Sequence, residues 1–277
     1  MNSQIAYPHW QAGVGRIYLS KRPNNLEAER AAQKIAEAAK AKSVEVIPLD
    51  PFTEDQFHVA NDEKPSIMIS LGGDGTLLRS RMKLGNDEIP MLGVNYGRLG
   101  ALSELDASEL DAYLDRIISG DFYVEERTLL ETRGKTFLNE ALVKCQEPGK
   151  SIKMALFLDG RRFFQTKADG LIVATPTGSS AYAFLVGGFL IEPTFKAMVV
   201  VPIAPLSWGI RPFVTEENEI VVSTGGNAVL VLDGKRELNL RKYEPLKIGF
   251  SKNRAKFIRF RPFSFSKLYH KLQSAPF

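Results

Sequence analysis

Leu71-Gly72-Gly73-Asp74-Gly75-Thr76 holds one acidic residue inside a run of glycines, and the segments on either side of it decide the fold. Ser66-Ile67-Met68-Ile69-Ser70-Leu71 is a short apolar run that reads as a buried strand. Thr76-Leu77-Leu78-Arg79-Ser80-Arg81-Met82-Lys83 has helix-forming composition. A strand, a glycine loop and a helix start are how α/β proteins present backbone N–H groups to a phosphate. A loop that only bound phosphate would not carry Asp74, because the carboxylate repels the ligand. The residue makes sense if it holds Mg²⁺ or draws a proton from a hydroxyl that attacks a phosphate. The plainer alternative is a tight turn with Asp74 as an N-cap, and the glycines on both sides of Asp74, with Thr76 able to cap in its place, favour the functional reading.

Outward from this loop, the first hundred residues alternate strands and helices. Val14 to Leu19 reads as a strand, and Asn24-Asn25 caps a helix from Leu26 to about Lys40, lined by Leu26, Ala31, Ile35 and Ala38. Val44–Leu49 is a second strand and Ile89–Asn95 another, running into the glycine-rich turn Asn95-Tyr96-Gly97-Arg98-Leu99-Gly100. This alternation implies a parallel sheet of Rossmann-like α/β type, with ligands at the carboxyl ends of its strands, where both Asp74 and Asn95 fall. A helix from Ser108 to Ile118 stops at Gly120, and from Tyr123 to about Gly249 short strands dominate, with Asp-Gly hairpin signals at Asp159-Gly160 and Asp233-Gly234. The expected domains are therefore an α/β domain, 1–105 with 255–277, and a mostly β domain, 106–254. The last segment, Phe263–Leu272, is expected to pack back on the first domain.

With 277 residues, 44% hydrophobic and 25% charged, the chain has room for two such cores. No apolar run approaches the roughly 18 residues that span a bilayer, and no signal-peptide pattern opens the chain. Cys145 is the single cysteine, which rules out an internal disulfide or a multi-cysteine zinc site, and His9, His58 and His270 are scattered. A reducing cytoplasm fits. From Pro245 onward there are eight Lys/Arg and no acid, leaving 28 bases against 32 acids in the rest. A basic tail suits either nucleic acid or local attraction of a polyanionic substrate, and the second reading is the one taken, with no nucleic acid or membrane partner.

Two further stretches are candidates for chemistry. Leu138-Asn139-Glu140 sets an amide beside a carboxylate, and both reach one ligand only at a strand end or bend. Ala168 to Tyr182, ADGLIVATPTGSSAY, runs a buried strand into a turn dense in hydroxyls, with a helix starting near Ser180. Its hydroxyls, its helix start and Tyr182 suit the polar edges and base of a nucleotide. G-x-x-x-x-G-K-[ST] is absent, the first βα turn has no G-x-G-x-x-G, and no G-x-S-x-G surrounds Ser179-Ser180. P-loop, ordinary dehydrogenase and serine-nucleophile chemistry are disfavoured accordingly.

In this order the motifs resemble the NAD kinases, which phosphorylate NAD to NADP. Gly72-Gly73-Asp74-Gly75-Thr76 is similar to the family's GGDGT loop, Asn95–Gly100 to its N-x-G-x-L-G segment, Asn139-Glu140 to its NE pair, and Asp169–Tyr182 to its DG…TPTGSTAY stretch. GGDGT alone is shared with diacylglycerol, sphingosine and phosphofructo-kinases, and the later motifs select NAD kinase. The resemblance implies a two-domain architecture with the active site between the domains. Asp74 would act on the adenosine 2′-hydroxyl, as proton acceptor or through Mg²⁺ or another divalent cation. Gly72, Gly73, Gly75 and Thr76 would hold the phosphates of ATP, another nucleotide or polyphosphate. Asn139 and Glu140 would hold a ribose, Asp169 would sit near the nicotinamide end, and Lys167 matches a basic position. Thr177, Ser180, Ala181 and Tyr182 would line the adenine and ribose site. Asp233 resembles an acidic position of the late hairpin, and Ala204 would reach a neighbouring subunit's ligand in a homodimer or homotetramer. Four positions depart from the family: Leu185 replaces a frequent Ser at the ligand, Phe189 a usual Pro, Leu206 a His of many bacterial members, and Ala168 a common Gly.

Overall fold

The computed structural model describes residues 7–60 and 62–274, which divide into two compact units. The first runs to Glu126 and resumes at Ala255; the second is Arg127–Arg254.

The first unit holds β1 (Arg16–Lys21), α1 (Leu26–Ala41), β2 (Glu45–Pro48), β3 (Ser66–Gly72), α2 (Asp74–Leu84), β4 (Met91–Asn95), β5 (Leu105–Asp106) and α3 (Leu110–Ser119). Its strands lie in the order β2-β1-β3-β4, all parallel, with β5 beside the end of β4. Alternate strand residues take opposite faces. Ile17, Ile67, Ile69, Leu92 and Val94 join Ala28 and Ile35 of α1 and Ile117 of α3 in one core. On the opposite face Ser20 meets Ser80 of α2, Oγ to Oγ at 2.6 Å. Asn25 caps α1 by accepting from the Ala28 N–H at 2.9 Å, as expected. Leu26, however, is exposed, and the buried stripe of α1 is Ala28, Ala31, Ile35 and Ala39. Because α3 packs on α1 and shares its core, this unit reaches past the limit at residue 105 expected from the sequence.

β6 (Tyr123–Thr132) carries the chain across the boundary. The second unit follows with β7 (Lys135–Phe137), β8 (Glu140–Cys145), β9 (Ile152–Leu158), β10 (Arg161–Ala168), β11 (Gly170–Ala174), α4 (Tyr182–Leu185) and β12 (Met198–Ile203). It ends with β13 (Phe213–Thr215), β14 (Glu219–Thr224), β15 (Ala228–Leu232), β16 (Lys235–Leu240) and the start of β17 (Leu246–Arg259). One antiparallel sheet has the order β13-β12-β11-β8-β15-β16, and a second runs β10-β9-β14-β17. Their inner faces meet in one core that includes Val143, Leu156, Leu171, Val200, Ile220, Leu230 and Ile248, a β-sandwich. The outer face of β11 and β12 is covered in part by Ala183 of α4. Both Asp-Gly signals are hairpin corners, with φ of +47° and +72° at Asp159-Gly160 and +46° and +79° at Asp233-Gly234. Past the boundary, β17 pairs parallel with β4 at Phe257↔Met91, and α5 (Phe265–Ser274) closes the chain in the first unit.

Candidate functional site

The parallel register of β3 and β4 sets Gly72 beside Asn95, so the two glycine turns leave the sheet side by side. They touch backbone to backbone: a Cβ on Gly97 would lie 3.0 Å from the Gly73 Cα. Gly73 occupies the N-cap of α2 in extended geometry and Asp74 is the first helical residue, so neither Asp74 nor Thr76 is the cap. The Asp74 carboxylate turns instead onto the second loop. Its Oδ2 accepts the Ala101 N–H and its Oδ1 the Leu102 N–H, both at 2.9 Å. Asn95 stiffens that loop from inside, its Oδ1 accepting the Gly97 N–H at 2.9 Å, while the Tyr96 N–H donates to the Gly72 carbonyl at 3.1 Å. Burial raises the Asp74 pKa above the ordinary carboxylate value, against the two N–H donors and the charge of Lys271. A carboxylate so placed holds a transferred proton more readily than one in water. At the start of α2 the Thr76 N–H donates to the Gly73 carbonyl at 2.9 Å, and the N–H groups before it, with no preceding turn to pair with, suit anionic oxygens.

In the second unit the site is built from two stitched turns. β11 runs out into Thr175, whose N–H donates to the Asn139 carbonyl at 2.9 Å and whose hydroxyl donates to the Leu138 carbonyl. Gly178 lies so close to Asn139 that a Cβ there would be 2.0 Å from the Asn139 carbonyl oxygen. Asp233, from the β15–β16 corner, clamps the same segment: it accepts the N–H of Leu138 at 2.8 Å, of Asn139 at 2.7 Å and of Glu140 at 3.1 Å. The backbone bends at Leu138 and Asn139. Asn139 Oδ1, Glu140 Oε2 and Thr177 Oγ1 are buried without a hydrogen-bond partner among the described residues. Buried polar atoms are normally paired, so three on adjoining turns mark a place built for a polar ligand. Glu140 is pushed up to about 8, first by burial and then by the neighbouring Asp233 charge.

The remaining expected residues fall in two groups. Ser180 is half-buried and donates to the Thr177 carbonyl at 3.0 Å, Ala181 follows it, and Tyr182 opens α4 with its ring part-exposed. Leu185, 66% exposed, and Phe189 lie just beyond. Lys167, Asp169 and Ala204 are exposed at the opposite end of β11, a strand length of roughly 17 Å from Thr177. Ser179 is structural: its hydroxyl donates to the Pro176 carbonyl at 2.6 Å and accepts the Ile191 N–H at 2.9 Å. The motifs did not point to Ala101 and Leu102, which act through main-chain N–H groups, nor to Lys271. The charge asymmetry of the tail was the one available signal for Lys271.

Both units are matched by known protein families. The ATP-NAD kinase N-terminal domain family matches residues 16–122 and the ATP-NAD kinase C-terminal domain family residues 138–260. The chain belongs to the NAD kinase family. NAD kinase of Thermococcus kodakarensis is 33% identical over 270 residues, 91% of this chain and 97% of its own. NAD kinase of Methanothermobacter thermautotrophicus is 30% identical over 93% of this chain and 96% of its own. A crystal structure of an Archaeoglobus fulgidus NAD kinase in complex with ATP superposes with a TM-score of 0.77 at 30% identity, covering 94% of this chain and 100% of that one. The fold is also that of yeast NADH kinase complexed with NADH, with a TM-score of 0.81 at 21% identity. NAD kinases are phosphotransferases that turn NAD into NADP.

Proposed function

We propose that, in the phosphorylation of NAD to NADP, Asp74 accepts the proton of the adenosine 2′-hydroxyl. The 2′-oxygen forms a bond to the terminal phosphorus of ATP, the bond from that phosphorus to the bridging oxygen breaks, and its electron pair leaves with ADP. The proton goes to the Asp74 carboxylate. The observation that carries this reading is the buried Asp74 carboxylate, locked by two N–H groups at the start of α2 and at the carboxyl end of a parallel sheet. Gly72, Gly73, Gly75 and Thr76 would cradle the donor's phosphates, and catalysis would be mainly positioning and charge neutralisation.

Asn139, Glu140 and Thr177, with their unpaired buried oxygens, would bind a ribose and its neighbours. Ser180, Ala181, Tyr182 and Leu185 would continue the nucleotide site, while Lys167, Asp169 and Ala204 would meet its far end. Among the described residues no three His, Cys, Asp or Glu side chains come together, so Mg²⁺ or another divalent cation would be held by the donor's phosphates. Polyphosphate is the alternative donor. Self-association as a homodimer or homotetramer is supported by exposed Leu206 and Trp208, the latter 89% exposed, near the edge strand β13. A cytoplasmic location is supported by the lone free Cys145; no helix among the described residues is long and apolar enough to cross a membrane.

The test is NADP formation by the purified protein with NAD, Mg²⁺ and either ATP or polyphosphate, wild type beside Asp74→Asn. Product from the wild type with one donor, and a large loss in the variant, is the expected result. A variant that keeps near wild-type rate removes Asp74 from the mechanism.

A further inference from the structure

The basic tail is the feature that the reading above leaves unused. Four of its eight charges are spent on neighbouring acids: Lys247 pairs with Glu219, Lys256 with Glu88, Arg259 with Glu125 and Glu104, and Arg261 with Glu109. Lys271 does something else. From half-buried ground in the last turn of α5, its Nζ donates to the Gly100 carbonyl at 3.2 Å, across 171 residues of sequence. Gly100 is joined by one peptide bond to Ala101, whose N–H holds Asp74 Oδ2. The ammonium thus fastens the loop that fastens the reacting carboxylate. It also stands close enough for its charge to favour the ionised form of Asp74. Leu268, buried one turn earlier, anchors the helix that carries it.

We propose that Lys271 is a positioning residue of the phosphoryl-transfer site, pinning the 95–102 loop at Gly100 and bringing a positive charge beside the Asp74 carboxylate where a polyanionic donor has to be received. This rests on the reading of Asp74 as the reacting group. A cation here offsets repulsion between Asp74 and the donor's terminal phosphate, which a glycine loop with an acid in it otherwise presents. It also keeps the two N–H donors aimed, so its loss is felt in turnover more than in NAD affinity.

The experiment compares Lys271→Met, Lys271→Arg and, as a charge control on the same helix, exposed Lys267→Met, with Asp74→Asn run in parallel. Steady-state NADP formation is measured with NAD and ATP varied in turn, and each variant's thermal midpoint is recorded. Lys271→Met is expected to lower kcat by roughly 10- to 100-fold, with the KM for NAD within about twofold and the midpoint close to that of Lys267→Met. Lys271→Arg should recover most of the loss, and Lys267→Met should match wild type. A kcat for Lys271→Met equal to that of Lys267→Met overturns the proposal. So does an equal loss in Lys271→Met and Lys271→Arg, or a loss that merely follows a lowered midpoint. If Asp74→Asn itself keeps the wild-type rate, the reading of Asp74 fails, and that outcome is distinct from an inert Lys271 beside an essential Asp74.

Discussion

Asp74 in the first unit and Asp233 in the second each hold a neighbouring segment by its backbone N–H groups, yet their charged neighbours are opposite. Asp74 takes two N–H groups, from Ala101 and Leu102, and has the Lys271 ammonium nearby. Asp233 takes three, from Leu138, Asn139 and Glu140, and has the Glu140 carboxyl nearby. A cation beside a buried carboxylate favours its charged form. A second carboxylate beside one drives a proton onto the pair, and here Glu140 carries it. The same backbone device therefore holds a segment in each unit, with a cation beside it in one and a carboxyl group beside it in the other. The charge at the next residue makes the difference.

The comparison breaks most readily at the two aspartates. Asp74→Asn is expected to cost roughly 10²–10⁴-fold in kcat while far-UV circular dichroism stays near wild type, the thermal midpoint falling modestly because the amide NH2 faces one of the two loop N–H groups. Asp233→Ala strands three buried N–H groups and leaves an alanine at φ +46°, so it should lose about 2–4 kcal/mol in a urea titration. If Asp233→Ala spared stability and removed only turnover, Asp233 would be a reacting group and not a clamp.

The close approaches sharpen the same contrast. Gly178→Ala drives a Cβ to 2.0 Å from the Asn139 carbonyl oxygen, whereas Gly97→Ala meets the Gly73 Cα at 3.0 Å. Gly178→Ala should cost about 1–3 kcal/mol and most of the NAD affinity, and Gly97→Ala less of both, by urea titration and calorimetry.

The last test reads a slope. Glu140 ionises near 4.5 in the unfolded chain and near 8 in the folded one. The folded state holds the proton between those values, so the stability it contributes is complete below about pH 4.5, declines as pH rises, and is gone above about 8. Glu140→Gln should flatten this decline in melts taken from pH 5 to pH 9. An unchanged slope would mean that Glu140 is ionised throughout.

Much of the fold was legible because it is written in local patterns. The apolar run before Gly72, the Asn25 cap, the helix stop at Gly120 and the two Asp-Gly corners each need only a few adjacent residues to be read. The first core was less so. Leu26 has the right spacing for the buried stripe of α1 but sits at its exposed start, and α3 belongs with α1 through packing that no local pattern announces.

By itself the sequence determined the two architectures, the order of the motifs and, through that order, the family. It also singled out Asp74 by its glycine loop, and Asn139, Glu140 and Thr177 through their likeness to the family's motifs. Only the tertiary structure decided what those groups touch. Asp74 is met by N–H groups 27 and 28 residues away and Lys271 by a carbonyl 171 residues away, while Asp233 reaches back 93 to 95 residues. Backbone N–H and C=O groups are nearly the same on every residue, so a site built from them leaves almost no mark in the choice of side chains.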